Sequence, residues 1–328
     1  MRRFFLLIIV AALAGAAYIF LLPAGPSHAT FVDFPTGTSV RQMGSLLERK
    51  GIIRSSYAFQ AVRLVQRGTL KAGEYRFDHP ATVSEVYDRL QRGDVFTRSV
   101  TIPEGANMFD IAERLEAAQL GTRAEFLKAV NRDVQLVGDI DPGAETLEGY
   151  LFPDTYHLQR KVTADQVAAA MVKRFRAAAA SIGLRRDFRQ VVTLASIVEK
   201  ETPLEPERQL VASVMTNRLE RKMPLMTDPS VIYALLREGR YRGTIYQSDL
   251  AYDSPYNTYR HAGMPPGPIA NPGLASLRAA MSPATTDYLY FVAATGDPSG
   301  HSRFAATLEE HAQNVAAYRK ALRGGGSR

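Results

Sequence analysis

The chain has 328 residues, with 40 Lys and Arg against 33 Asp and Glu, a formal net charge of +7, and no cysteine or tryptophan. The lack of cysteine excludes disulfides, thiolate chemistry and Cys-based zinc sites. The basic excess is scattered rather than gathered into a stripe with interleaved aromatics, so the composition argues against a nucleic-acid surface.

The first predicted element is an uncharged apolar run from Phe4 to Leu22, long enough as a helix to cross a hydrocarbon core of about 30 Å. Arg2 and Arg3 precede it and no charge follows until Asp33. This asymmetry predicts a short cytoplasmic N-terminus and an exported body. A cleaved signal peptide is the alternative, since Ser27-His28-Ala29 would pass as a cleavage site. The run exceeds the roughly 7 to 15 residues of a signal core, however, and Pro23, Gly25 and Pro26 read as a juxtamembrane linker. Residues 1–22 are therefore read as stub and anchor, and 23–32 as linker.

Residues 33–98 and 99–140 read as two small α/β regions that echo one another. "FPTGTSVRQMGSLLERKGII" (Phe34 to Ile53) aligns with "IPEGANMFDIAERLEAAQLG" (Ile102 to Gly121). Each has a β-like start, Pro-x-Gly, a polar cap and an amphipathic helix, with Val40, Met43, Leu46 and Leu47 on one apolar face and Met108, Ile111 and Leu115 on the other. Further helices are expected over Tyr57–Gln66 and Arg123–Val130, and strands in "LKAGEYRF" and "FTRSVTIPEG". The Pro-x-Gly-helix pattern resembles LysM-like modules, small βααβ units that bind N-acetylglucosamine polymers. A packing unit without a ligand has the same turn chemistry.

From about residue 141 to 323 the chain reads as a helix-rich catalytic domain, giving an α+β protein overall. Helices are expected over Thr163–Ala179, Arg186–Glu201, Pro206–Lys222 and Leu308–Leu322, with a strand at Tyr288–Ala294. Between them, "SPYNTYRHAGMPPGPIANPG" (Ser254 to Gly273) holds too much Pro and Gly for regular structure, and such loops are often functional. A disordered tail is expected at 324–328.

The helix ending in "LASIVEKETP" carries the chemistry. Val191, Leu194, Ala195 and Val198 form its core stripe, and Glu199 follows one turn after the small Ala195 and Ser196, which would leave a ledge for a ligand. Pro203 disfavours helix at Thr202, so Glu199 falls in the last turn, facing the negative end of the helix dipole. Dipole and apolar neighbours both favour a retained proton, as a general acid requires. A surface carboxylate paired with Lys200 or an arginine is the plain alternative.

Five segments in order, "LEGYLFPDTYHL", "ASIVEKET", "LMTDPSVIYAL", "SPYNTYRHAGMPPGPIANPG" and "YLYFVA…GHSRFAATLEEH", together resemble the endolytic murein transglycosylase family (MltG, YceG-like). The resemblance covers nearly everything after the anchor. It implies a bacterial inner-membrane enzyme, N-terminus in the cytoplasm, that cuts the N-acetylmuramic acid–N-acetylglucosamine β-1,4 bond of nascent strands and leaves 1,6-anhydro ends. It implies no cofactor, and as partners the glycan polymerases and the elongation or division machinery. The family's catalytic glutamate in "VEKET" maps onto Glu199.

A transglycosylase needs one group that acts as acid and then as base, whereas hydrolytic glycosidases generally use two carboxylates. Asp228 is the available second carboxylate; before Pro229-Ser230 it also reads as a helix N-cap. Where the family usually has Gln, this chain has Met226. Tyr256, Asn257 and Tyr259 are candidates for stacking on sugars and bonding N-acetyl groups, and Glu148 and Tyr150 for a partly structural role in binding. His157, His261, His301 and His311 lack metal-ligand spacing, so no metal is expected. Two rivals stay open: a muramidase-like hydrolase using Glu199 and Asp228, and a non-catalytic wall-binding scaffold.

Overall fold

The computed structural model describes residues 2–295 and 300–324, so the expected tail lies, after Gly324, outside the described residues. The chain divides into two units, Met1–Arg98 with His157–Lys161, and Ser99–Tyr156 with Val162–Arg328.

In the smaller unit the apolar run forms α1 (Arg2–Phe20), none of whose residues is buried. Then follow β1 (Thr30–Phe34), α2 (Val40–Arg49), α3 (Ser56–Val65), β2 (Gly73–Phe77) and α4 (Val83–Arg92). The two strands pair antiparallel with Val32 opposite Tyr75. Alternation puts Val32, Phe34, Tyr75 and Phe77 into the core and leaves Asp33 and Arg76 outside. Phe59, Tyr87 and Leu90 from the helices complete that core, and each large side chain so buried contributes roughly 2 kcal/mol. Helix α4 was not among the sequence expectations, although Thr82 and Glu85 form a reciprocal capping box at its start.

The larger unit contains β3 (Arg98–Thr101) after its first residue, α5 (Met108–Ala117), α6 (Arg123–Arg132), the first half of β4 (Thr155–Leu158), α7 (Ala164–Ser181), α8 (Phe188–Glu201), α9 (Arg208–Glu220), α10 (Asp228–Arg237), α11 (Leu274–Met281), β5 (Tyr290–Ala293), β6 (Ser302–Ala305) and α12 (Leu308–Gly324). This is a mixed, helix-rich body. The echo seen in the sequence reappears locally. In both repeats the Pro-x-Gly glycine adopts positive φ (Gly37 +89°, Gly105 +75°), and Ser39 and Asn107 cap α2 and α5 with the same reciprocal box.

Helix α8 is the centre of the larger unit and packs against α9, α10 and α11. Its residues Val192 to Val198 are all buried. Asp187, at φ +57°, delays its start to Phe188, and Thr202 turns extended before Pro203 and ends it at Glu201. The helix expected over Pro206–Lys222 divides into a 3-10 turn, Glu205–Glu207, and α9. The strand expected at Tyr288–Ala294 is β5, paired antiparallel with β6, and α12 packs on both.

Candidate active site

Glu199 and Glu201 occupy the last turn of α8. Two residues apart on a helix, they point roughly 160° away from each other, and they meet different surroundings. Glu199 Oε1 accepts from Arg208 Nη2 at 3.0 Å and Oε2 from the Gly273 backbone N–H at 2.9 Å. The Glu199 side chain is 5% exposed and that of Arg208 8%. The same guanidinium reaches Glu104 Oε2 at 3.6 Å, and Lys200 donates to the Gly105 carbonyl. Burial, and then the neighbouring Glu199 charge, hold the Glu104 carboxyl above its usual range.

The expected ledge beside Glu199 is filled. Ser196 is buried, donates to the Thr193 carbonyl at 2.7 Å and accepts from Ile269 N–H at 3.1 Å. Glu199, with both oxygens taken by protein donors, therefore has a structural role. It ties the end of α8 to the start of α9 and to the N-terminus of α11.

Glu201 faces a cavity of about 460 Å³ whose walls include Arg218, Met226, Asp228, Tyr259, Tyr290 and His311. Burial, and then the charge of Asp228, push the Glu201 carboxyl up to about 7, with Arg218 pulling in the opposite direction. Arg218 is fixed by the carbonyls it serves, Leu289 and Leu225, each at 2.7 Å.

The opposite wall is set by a hydroxyl network. Thr227 N–H donates to Thr258 Oγ1 at 2.9 Å, and Ser230 Oγ lies 2.8 Å from the same oxygen, which pins the start of α10 to the segment carrying Tyr259. The Tyr259 hydroxyl donates to Asp228 Oδ1 at 2.6 Å, and burial together with this bond raises the phenol above its usual range. The expected cap assignment shifts by one residue: Thr227 is the N-cap and Asp228 opens the helix, leaving its carboxylate in the cavity.

Tyr290 and His311 stack at 5.1 Å between ring centroids and form an aromatic wall. His311 is held below its usual value by burial and by Arg218. Met226 is exposed at φ +52°, a conformation that side-chain-bearing residues adopt only when neighbours impose it.

A proton-holding carboxyl, a second carboxylate and an aromatic wall in one cavity suit general acid catalysis on a sugar. The sequence pattern of the YceG-like family matches residues 32–317. The chain belongs to the YceG-like family. It is 33% identical over 305 residues to a protein of Bacillus subtilis strain 168 named endolytic murein transglycosylase, covering 85% of this chain and 82% of that one. A Streptococcus pneumoniae D39 protein of the same name is 30% identical over 331 residues, covering 90% of this chain and 60% of its own length. The crystal structure of a yceG-like protein from Listeria monocytogenes superposes with a TM-score of 0.57 at 34% identity, covering 87% of this chain and 99% of that one.

Of the remaining predicted residues in this YceG-like chain, Tyr259 and Asp228 come together with Glu201, and four others do not. Glu148 is buried, accepting from Met108 N–H at 2.9 Å and Asn271 Nδ2 at 2.6 Å, and burial pushes its carboxyl up to about 8. Tyr150 is buried with its hydroxyl on Asp141 at 2.7 Å. Tyr256 packs against Tyr233 under the Arg237 guanidinium. Asn257 braces its own loop through the carbonyls of Leu250 and Tyr252. These contacts are internal, and Glu148, Tyr150 and Tyr256 together line a separate small cavity. Sequence reasoning missed Glu201, Arg218, Tyr290 and His311. The signal for Glu201 was present: it is the last helical residue before Thr202-Pro203.

Proposed function

We propose that this chain is a membrane-anchored lytic transglycosylase that cuts the N-acetylmuramic acid–N-acetylglucosamine β-1,4 bond within glycan strands and leaves 1,6-anhydro ends. The observation that carries the reading is the Glu201 carboxyl in the cavity, raised to about 7 and without an ion pair among the described residues. Protonated Glu201 gives its proton to the glycosidic oxygen as the bond breaks. An oxocarbenium-like centre forms at the muramic acid. The resulting carboxylate then takes the proton of the C6 hydroxyl as that oxygen closes on C1, so one residue serves as acid and then base. Asp228, oriented by Tyr259, supplies negative charge beside the developing cation, and Tyr290 with His311 offers a flat wall to a sugar ring.

The names of the relatives support glycan strands as substrate. Helix α1, apolar and exposed up to the half-buried Ile19 and Phe20, supports a single-pass anchor with the larger unit outside the cytoplasmic membrane. The order β3, α5, α6 within 99–140, closed by β4 from Thr155–Leu158, fits the βααβ order of a LysM-like unit. Acting on nascent strands places the protein beside glycan polymerases and the elongation or division machinery.

A hydrolase is the second reading, favoured by the presence of Asp228 in the same cavity as Glu201. Digestion of uncrosslinked glycan strands by the full chain in heavy-oxygen water decides between them. Internal fragments with anhydro ends and no solvent oxygen are expected. Reducing ends carrying solvent oxygen would replace the lyase with a two-carboxylate hydrolase.

A further inference from the structure

The smaller unit holds a second cavity, about 750 Å³, that the proposed reaction does not use. It is lined by the half-buried Val95 and Phe96 and by Arg76, Arg89 and Arg92; Phe77 and Val86, also in its lining, are buried in the core. The acidic groups nearby are engaged. Glu85 accepts from the Thr82 N–H and hydroxyl in the α4 cap, at 2.7 and 2.9 Å. Asp94 pairs with Arg92 at 3.1 Å, and Arg76 pairs with Asp78 at 3.2 Å. Arg89 has no ion pair among the described residues; its guanidinium lies over the Phe77 ring at 5.3 Å.

This cavity is held close to the end of the anchor. Ala24 and Ala81 exchange both backbone hydrogen bonds at 2.8 Å, and Ala81 and Pro80 form part of the cavity rim. Gly25 fits so tightly that a Cβ there would lie 2.7 Å from Pro80 Cα. Arg54 donates to the carbonyls of Leu22 and Pro23 and sits over the Tyr18 ring at 4.5 Å. Ala24 lies four residues after Phe20, so the rim is tethered within about 14 Å of the helix end, near the headgroup layer when α1 spans a bilayer.

We infer that this groove binds the phosphate headgroup of a membrane-borne amphiphile, with Arg89 on the phosphate and Val95 with Phe96 against the apolar chain. A guanidinium matches phosphate oxygens with paired donors, and an apolar wall beside it distinguishes an amphiphile from a free anion. The inference rests on α1 as an anchor and is independent of the reaction chemistry.

The test uses the full chain in dodecyl maltoside, given equal amounts of phosphatidylglycerol and phosphatidylcholine, with retained lipid counted by native mass spectrometry. Phosphatidylglycerol is expected to be retained preferentially. Arg89→Ala should weaken that retention about tenfold, the scale of one charge-assisted hydrogen bond, and Arg89→Lys should restore most of it. Lipid held only around α1 would be indifferent to Arg89. Equal retention of the two lipids, or an Arg89→Ala protein that behaves as the wild type, overturns the inference. Full displacement of phosphatidylglycerol by an equal concentration of inorganic phosphate overturns the lipid assignment and leaves a free-phosphate site.

Discussion

The two faces of the last turn of α8 carry the same side chain and do opposite things. On one face Glu199 is enclosed by Arg208 and the Gly273 N–H and joins three elements. On the other, Glu201 looks into a cavity with Asp228 close enough to raise its proton affinity. A carboxylate given donors becomes scaffold, and one buried beside a like charge holds its proton to higher pH. The comparison also explains why they sit so close together. The rigid face holds the reactive face in place.

The largest effect that would break this comparison is on stability. Glu199→Ala leaves the buried Arg208 with only its longer contact to Glu104 and frees the Gly273 N–H, and should cost about 3 kcal/mol in chemical or thermal unfolding of the full chain. A loss below about 1 kcal/mol would mean that the pair holds nothing together.

The reactive face predicts the opposite sign. The Glu201 carboxyl moves from 4.5 to about 7 on folding. Between those values the folded chain keeps a proton that the unfolded chain has released, so its contribution to stability falls as pH rises through that window, and the full cost is present above about 7. Glu201→Gln should therefore stabilise the protein by about 2 kcal/mol well above that range, somewhat under the full equivalent of the shift because the carboxyl borders an open cavity. Below the ordinary carboxyl value the gain should vanish, and unfolding measured at both ends of the range checks the sign.

Smaller effects sharpen the wiring of the cavity. Asp228→Asn removes the charge that adds to burial at Glu201, so the alkaline limb of the pH–rate profile should move toward acid by less than one unit, burial being the larger cause. An unmoved limb would disconnect the two carboxylates. Tyr259→Phe takes away the 2.6 Å donor to Asp228. It should lower turnover only several-fold, on the scale of about 1 kcal/mol for one hydrogen bond, with substrate affinity changing less than turnover.

Much of the fold was legible in local chemistry. The capping boxes at Ser39 and Asn107 and the Pro203 stop are short-range features, and the structure places them where spacing and backbone sterics require. The choice between Glu199 and Glu201 was not legible, because the deciding partners come from far along the chain. Arg208 and Gly273 close one face, and Tyr259, Tyr290 and His311 wall the other. A helical wheel shows which residues share a face but not what stands opposite. The burial of Tyr150, Tyr256 and Asn257 was not legible for a related reason: aromatic and amide side chains that suit sugars also suit a buried hydrogen-bond network, and burial is a tertiary property.

The most direct test of the central claim is cleavage of uncrosslinked glycan strands by Glu201→Gln and Glu199→Gln side by side, each first checked for folding by circular dichroism. Folded Glu201→Gln is expected to lose about 10²- to 10⁴-fold in turnover, the range for removing a general acid, whereas Glu199→Gln, where folded, stays within about tenfold of the wild type. A folded Glu199→Gln protein without activity, beside a Glu201→Gln protein that still cuts, would contradict that claim and return the acid to the other face of the helix.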